Sequence, residues 1–362
     1  MSIPITFDDL QSIAIGAGIL GTGGSTHPYL ELLNAEKLYR AGRSVELIDP
    51  SELADDDLVA EISKIGAPLP SIERIADPAL FAKPVRMIED HVGCRFKAIM
   101  PGEIGTVNGV IPIMVAAELG LPLVDADPVG RAFPGVHMSS FAIAGLPYFP
   151  FAVADIRENE VIITRSVDGG WTERIARRVS IEMGTIAATC RPPRTGRQIK
   201  DYAILGSVTR AIRLGLAVRN ARSQGRQAVD VILAEERGLV LFKGKVVDAM
   251  RRTTEGFLRG HCDIAGLDEF DGSSFTAEFR NEFTVARRDG SVCATTPDLI
   301  CVLDAISGQA IGTEHLRYGQ RVFVLGMPAA PIFSSPAGLG VVGPRALGYD
   351  LDYVPLFPGA QR

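Results

Sequence analysis

The sequence predicts an α/β fold: an N-terminal α/β domain with a partly parallel sheet, followed by a C-terminal β-rich domain. Three observations predict it. Between Phe96 and Val124 two short apolar runs flank a helical segment, with the spacing a parallel crossover requires. After Gly225 the apolar pattern changes from helical periodicity to alternation, in short runs separated by turn residues. The length of 362 residues suits two domains at roughly 100 to 200 residues each, and we place them at residues 1–165 and 166–362.

Thr6 with Asp8 and Asp9 reads as an N-cap followed by acids in the first turn, and Phe7, Leu10, Ile13 and Ala14 have helical spacing. The chain therefore opens on a helix. That bears on Gly16-Ala17-Gly18-Ile19-Leu20-Gly21, which matches G-x-G-x-x-G in letters. A dinucleotide fingerprint needs a strand just before its first glycine, so that the turn delivers backbone N–H groups to a pyrophosphate. A helix there argues against a nucleotide, and no nucleotide cofactor is expected. The continuation Gly21-Thr22-Gly23-Gly24-Ser25-Thr26-His27-Pro28 is a loop, either a turn needing positive φ or a backbone anion cradle. A helix follows from Tyr29 to Leu38. Ser44–Asp49 is a strand, Pro50-Ser51-Glu52 starts a helix, Asp55-Asp56-Asp57 is a solvated acidic turn, and Gly66–Pro84 reads as an irregular lobe or an oligomer contact.

The crossover carries the chemistry. Phe96–Met100 is a strand, Val110–Leu119 a helix stopped by Gly120, and Leu121–Val124 a second strand parallel to the first. Residues just past the ends of both strands emerge on one rim, where open α/β sheets bind ligands. Glu103 follows the first strand and Asp125 and Asp127 the second; Asn108, Arg131 and His137 lie nearby in sequence. Carboxylates crowded there raise one another's pKa unless a divalent cation, Arg131 or a shared proton resolves the conflict. The bland alternative is that Asp125 and Asp127 cap turns, Arg131 is their ion-pair partner and His137 is a core histidine.

Ser139–Ile163 alternates strand-like pieces with Gly and Pro. Arg174–Cys190 has helical spacing, with Gly184, Ala187 and Ala188 as a small-residue patch for close helix packing, and Pro192-Pro193 breaks it. Ile204–Gln224 is a second helix with Ser207 as its N-cap and Gly225 as its stop; its arginines form a solvated face. Candidate strands follow at Val229–Ala234, Leu239–Phe242, Lys245–Met250, Phe257–Ile264, Phe275–Arg280, Phe283–Ala286, Leu299–Leu303 and Arg321–Leu325. Asn281-Glu282 interrupts a strand pair and Pro297-Asp298 precedes a buried run, so Glu282 and Asp298 either join the first domain's site or serve as a bulge and a cap. His261 and Cys262 are adjacent in a strand and point to opposite faces, which prevents them from holding one ion together. His315 and the cysteines read as structural.

Composition narrows the function classes. Hydrophobic residues at 46% and charged residues at 22% describe a globular protein. The 37 basic and 43 acidic residues give a net charge of −6, which argues against a nucleic-acid partner. Five widely spaced cysteines without a C-x-x-C pair suit a reducing, cytoplasmic compartment. The opening MSIPITFDDL carries acids where a secretory signal carries basic residues, and no apolar run approaches the ~20 residues of a membrane span, so no membrane partner is expected. No G-x-S-x-G, H-E-x-x-H, Walker loop or internal repeat is present.

Several segments taken together carry a resemblance: Ile13 to Gly24 (IAIGAGILGTGG), Pro101 to Gly105 (PGEIG) with Asn108, Val124 to Pro134 (VDADPVGRAFP) and Val342 to Asp350 (VGPRALGYD). They resemble the S-methyl thiohydantoin desulfurase family, long catalogued as a domain of unknown function and found near or fused to hydantoinase/oxoprolinase-type proteins. Two departures stand out: the Gly23-Gly24-Ser25-Thr26-His27 loop is poorer in glycine than the family's run, and His137 stands where the family pattern suggests Gln. The resemblance implies an N-terminal α/β and a C-terminal β-rich domain, and a hydrolase acting on an S-methyl thiohydantoin or related five-membered cyclic amide by water attack at the C–S or C–N carbon.

On that expectation, a divalent cation such as Zn, Mn or Mg, held by Asp125, Asp127 and His137 with Glu103 beside them, lowers the pKa of its bound water. Glu103, Asp125, Asp127 and Arg131 form the catalytic set, a carboxylate left free serving as acid or base. Gly21, Gly23, Gly24, Asn108 and Glu282 bind the substrate. Without a metal, the same residues form an acid/base site. Two other readings remain: a non-catalytic subunit of a hydantoinase/oxoprolinase-like partner, and a nucleotide-dependent enzyme using the Gly16–Gly21 segment. A homo-oligomer is expected in any case.

Overall fold

The computed structural model describes residues 2–25, 28–69 and 77–357. Residues 26 and 27 of the glycine loop and 70–76 of the expected lobe lie outside the described residues.

The chain opens on helix Phe7–Leu20, started by a capping box in which the Thr6 hydroxyl accepts from the Asp9 N–H and the Asp9 carboxylate accepts from the Thr6 N–H. Gly16 and Gly18 are thus in mid-helix, and the strand-to-helix turn of a dinucleotide fingerprint is not formed at Gly16–Gly21. These glycines answer a packing need. A Cβ on Gly16 would lie 2.0 Å from the carbonyl oxygen of Ala211, and one on Gly215 would lie 1.8 Å from that of Ser12. Glycines on both sides let helices Phe7–Leu20 and Ser207–Ser223 meet backbone to backbone.

The first sheet contains β1 (Ile3–Ile5), β2 (Val45–Ile48), β3 (Leu58–Gly66), β4 (Ala98–Pro101) and β5 (Leu123–Val124). A small separate pair uses β6 (Ala126–Asp127), and β7 (Phe151–Ala154), β8 (Glu160–Ile163), β9 (Ile186–Cys190) and β10 (Arg194–Thr195) complete the first sheet. Its order is β1-β2-β5-β4-β3-β9-β7-β8, with β10 beside β3. The centre is parallel: β2 with β5, β5 with β4, and β4 with β3. The expected crossover is present, with helix Ile111–Leu119 joining β4 to β5 and every residue from Ile111 to Ala117 buried. These seven residues are apolar on every face, which fits a segment enclosed on every side; Glu118 and Leu119, at its end, are only half-buried.

Strands β9 and β10, from beyond residue 166, join this first sheet, and the second sheet begins only at Leu239. After β11 (Ile204–Leu205), which pairs with β6, the second sheet is formed by β12 (Leu239–Thr254), β13 (Phe257–Gly266), β14 (Ser274–Arg280), β15 (Glu282–Arg288), β16 (Ser291–Thr295), β17 (Leu299–Asp304) and β18 (Arg321–Met327). It has seven strands, all antiparallel, in the order β16-β15-β14-β13-β12-β18-β17. Alternation sets its buried face: Phe275, Ala277 and Phe279 of β14 point inward. Among the described residues, no helix is long and apolar enough to cross a membrane.

Four local expectations are corrected. Arg174–Cys190 is not one helix: helix Gly169–Glu182 ends in a turn with positive φ at Gly184 and Thr185, and Ala187 and Ala188 then sit in β9 between β3 and β7. Val229–Ala234 is not a strand but part of helix Ala228–Glu236, which buries Val229 and Ile232 on one face; a short apolar run does not distinguish the two states. Leu239–Phe242 and Lys245–Met250 are one strand, irregular in register rather than broken. The described part of Gly66–Pro84 is not an irregular lobe throughout, because helix Pro78–Val92 begins there on an Asp77 cap.

Candidate functional site

The end of β4 leads directly into Pro101-Gly102-Glu103, and a buried carboxylate holds the backbone on the far side of Glu103. Asp127 accepts from the N–H groups of Ile104 at 2.9 Å, Val129 at 3.1 Å and Gly130 at 2.9 Å. Burial pushes its pKa up to about 6 against the lowering effect of these bonds. Asp127 is therefore committed to this loop and leaves the cleft to other residues.

Glu103 Oε1 accepts from Asn108 Nδ2 at 2.6 Å, and Oε2 from the Phe133 N–H at 3.4 Å. Burial raises its pKa to about 7, opposed first by the charge of Arg191 and then by the Asn108 bond. From the second sheet comes Glu282, the first residue of β15, turned toward the same space by Asn281 at a φ of 61°. Burial, then the charge on Glu103, holds the Glu282 pKa well above the usual carboxylate range. Its Oε2 is buried without a hydrogen-bond partner.

Glu103 and Glu282 face a small cleft of about 50 Å³, also lined by Gly24, Ser25, Lys64, Asn108, Arg191 and Asn281. Arg191 forms its floor, donating to Glu61 Oε1 at 2.7 Å and to the Gly102 carbonyl at 2.9 Å. Burial works to neutralise this guanidinium, but the Glu61 and Glu103 carboxylates outweigh it and keep it charged.

The glycine loop is stitched to the second sheet: the Phe283 N–H donates to the Thr22 carbonyl at 2.8 Å and the Thr313 N–H to that of Gly23 at 2.7 Å. Gly23 has a φ of +96°, and a Cβ on Gly24 would lie 2.1 Å from Glu282 Oε1. Gly24 reaches the cleft, whereas Gly21 packs against Thr106 and Gly23 against the Phe283 ring. Thr22, Ser25, Thr106 and Asn281 all have positive φ at or beside the cleft. Such strain, about 1–3 kcal/mol for each residue, persists only where surrounding structure imposes it.

Besides Asp127, Gly21 and Gly23, three more expected site residues lie elsewhere. Asp125 is turned away to cap helix Ser207–Ser223, its Oδ1 accepting from the N–H groups of Val208 at 2.9 Å and Thr209 at 3.0 Å. Arg131 is a buried bolt whose donors are spent on the fold, although its charge is felt by Glu103 and Glu282. It donates to Thr22 Oγ1, to the Ala132 carbonyl and to the carbonyls of Pro297 and Asp298, and it stacks on Phe133. Burial pushes its pKa down to about 10. His137 faces a separate cavity beside Glu173 and Arg280. Asp125, Asp127 and His137 are thus not assembled around a common point. Among the described residues, the group close enough to share one ion is Asp248, His261 and Asp263 on β12 and β13. Asp298 accepts from the Ala329 N–H, the Tyr353 hydroxyl and the Leu356 N–H, which ties down the C-terminal segment.

Lys64 and Arg191 were missed by sequence reasoning. The available signal was the pattern of β3, where Glu61, Ser63 and Lys64 interrupt an otherwise apolar, buried strand.

A sheet with a parallel centre and a second, antiparallel sheet thus contribute one buried carboxyl group each to a single small cleft. The chain belongs to the S-Me-THD-like family: the S-Me-THD-like N-terminal domain matches residues 8–165 and the C-terminal domain residues 167–356. A crystal structure of a protein from Chromobacterium violaceum, solved by a structural genomics consortium, is similar in fold, with a TM-score of 0.80 and 22% identity over 98% of this chain and 100% of that one. No curated protein matches the chain.

Proposed function

We propose that the cleft hydrolyses a small five-membered cyclic amide or thioamide such as an S-methyl thiohydantoin, with Glu103 and Glu282 as its acid/base pair. The observation that carries this reading is the pairing itself: two buried carboxyl groups from different sheets face one small cleft, and one of them keeps an unpartnered oxygen. The family assignment supports the substrate class. In an S-methyl thiohydantoin the ring carbon bearing sulfur is amidine-like and electrophilic. Ionised Glu103 takes a proton from water as its oxygen bonds to that carbon, and protonated Glu282 gives a proton to the departing sulfur. One C–O bond forms and one C–S bond breaks. The products are the hydantoin and methanethiol, and a proton passing from Glu103 back to Glu282 through solvent closes the cycle. Asn281, whose Oδ1 accepts from the Leu258 N–H, leaves its amide N–H groups for a ring carbonyl.

The test is release of methanethiol from S-methyl thiohydantoin, read with a thiol reagent, with the hydantoin product identified by mass after reaction in ¹⁸O-water. The expected product carries one heavy oxygen, and Glu103→Gln and Glu282→Gln each lower kcat by about 10²–10⁴. No thiol release by the intact protein, or full turnover in both variants, refutes the reading.

A further inference from the structure

A second cavity, of about 850 Å³, lies between helix Gly169–Glu182, the loop around His137 and strands β13 and β14. Its lining is richer in arginine than that of the Glu103 cleft. Arg174, Arg177, Arg178 and Arg280 line it, against the carboxylates Glu173 and Glu255. Glu173 is already committed, accepting from Arg177 Nε at 2.6 Å and from the Val136 N–H at 2.8 Å. Among the described residues no carboxylate pairs with Arg174, Arg178 or Arg280. Two buried nitrogens here, His137 Nδ1 and Arg280 Nε, also have no hydrogen-bond partner. Buried polar nitrogens are rarely left unmet, so a guanidinium that feels Glu173 and Glu282 only at a distance, beside an unpartnered imidazole, marks a place for an anion. The walls supply an apolar counterpart. The Arg280 guanidinium stacks 4.0 Å from the centre of the Phe257 ring, and Trp171, 47% exposed, borders the opening with Arg174 over its ring.

We propose that this cavity is a second small-molecule site that takes a carboxylate-bearing ligand with an apolar body, its anionic end on Arg280 and His137 and its body against Trp171. The two sites share one wall: Arg177, bonded to the carbonyls of Pro134, Gly66 and Gly256, lines both cavities. The proposal is independent of the chemistry assigned to Glu103.

Trp171 is the sole tryptophan of the chain, so intrinsic fluorescence reads this site directly. The experiment titrates the full chain with benzoate, with benzyl alcohol as the neutral isostere and chloride at equal ionic strength as the salt control. Benzoate is expected to change Trp171 emission saturably while the two controls do not. Arg280→Gln is expected to weaken binding about tenfold, the loss of roughly one charge-assisted hydrogen bond. His137→Ala weakens it as well, and Glu103→Gln leaves it unchanged. Should Arg280→Gln fail to fold by circular dichroism, the double variant Arg174→Gln/Arg178→Gln, altered only at exposed positions, tests the same charge dependence. An absent or non-saturable response, an equal response to benzyl alcohol, or undiminished affinity in the folded charge variants overturns the proposal.

Discussion

Asn108 Nδ2 donates to Glu103 Oε1 at 2.6 Å while Asn108 Oδ1 accepts from the Lys64 backbone N–H at 2.7 Å. A backbone N–H can only donate, so it fixes which end of the amide meets Glu103. The end it presents is a donor, which favours the ionised carboxylate. Asn108 thereby offsets part of the burial that raises the Glu103 pKa to about 7. Substituting Asn108→Leu removes the donor, and the Glu103 pKa should rise further. In the pH–rate profile the limb that reports ionisation of Glu103 should move upward by about one pH unit, with a smaller change in the pH-independent maximum. A limb that does not move separates Asn108 from Glu103.

The same raised pKa makes a statement about stability. Glu103 has a folded pKa near 7 against an ordinary value of 4.5, so between those values the folded chain binds more protons than the unfolded one. Its contribution is fully present below the unfolded value and is lost as pH rises through the folded one. Asp127, raised to about 6, and Glu314, raised to about 7 by burial, act in the same direction. Denaturant unfolding should therefore show stability falling between about pH 4.5 and 7. Glu103→Gln should flatten that slope by roughly 3 kcal/mol across the window, as an order of magnitude. An unchanged slope in the variant would place the effect elsewhere.

The crossover was legible because every signal agreed: two apolar runs, a helical stretch between them and Gly120 at its end. Glu103 followed from it, since the end of a central parallel strand is where such a sheet exposes a side chain. Asp125 and Asp127 were not separable in the same way. They stand two residues apart, and only the fold decides that backbone N–H groups from Ser207–Ser223 claim one and those of Ile104, Val129 and Gly130 claim the other. Glu282 was visible only as an interruption between strands, because the neighbour that gives it meaning is more than 170 residues away in sequence. Arg191 was hidden by reading residues 174–190 as one helix, which concealed the strand that delivers it to the cleft floor.

Asp125 gives a clean contrast with Asp127. Its carboxylate serves as an N-cap for helix Ser207–Ser223, and loss of a cap costs about 1 kcal/mol. Asp125→Ala should lower the melting temperature modestly and leave kcat/KM at the wild-type value. Arg131→Met should destabilise far more, because it strands the carbonyls of Pro297 and Asp298 in the interior, at about 1–3 kcal/mol each. Thermal unfolding of both variants, with turnover normalised to folded protein, checks the pair.

Two glycine-to-alanine changes separate packing from chemistry. At Gly16 the new methyl group would meet the Ala211 carbonyl oxygen at 2.0 Å, and that oxygen belongs to a helix backbone that cannot step aside alone. Gly16→Ala should destabilise by a few kcal/mol, as overpacking at a close helix crossing does. At Gly24 the collision is with Glu282 Oε1 at 2.1 Å, the far end of a side chain that can rotate. Gly24→Ala should therefore fold with little loss of stability, yet displace the Glu282 carboxyl from the position facing Glu103. The expected result is a fall in kcat of at least about tenfold with a melting temperature close to wild type. A Gly24→Ala protein with full turnover would mean that Glu282 can leave its observed position without consequence, which removes it from the acid/base pair.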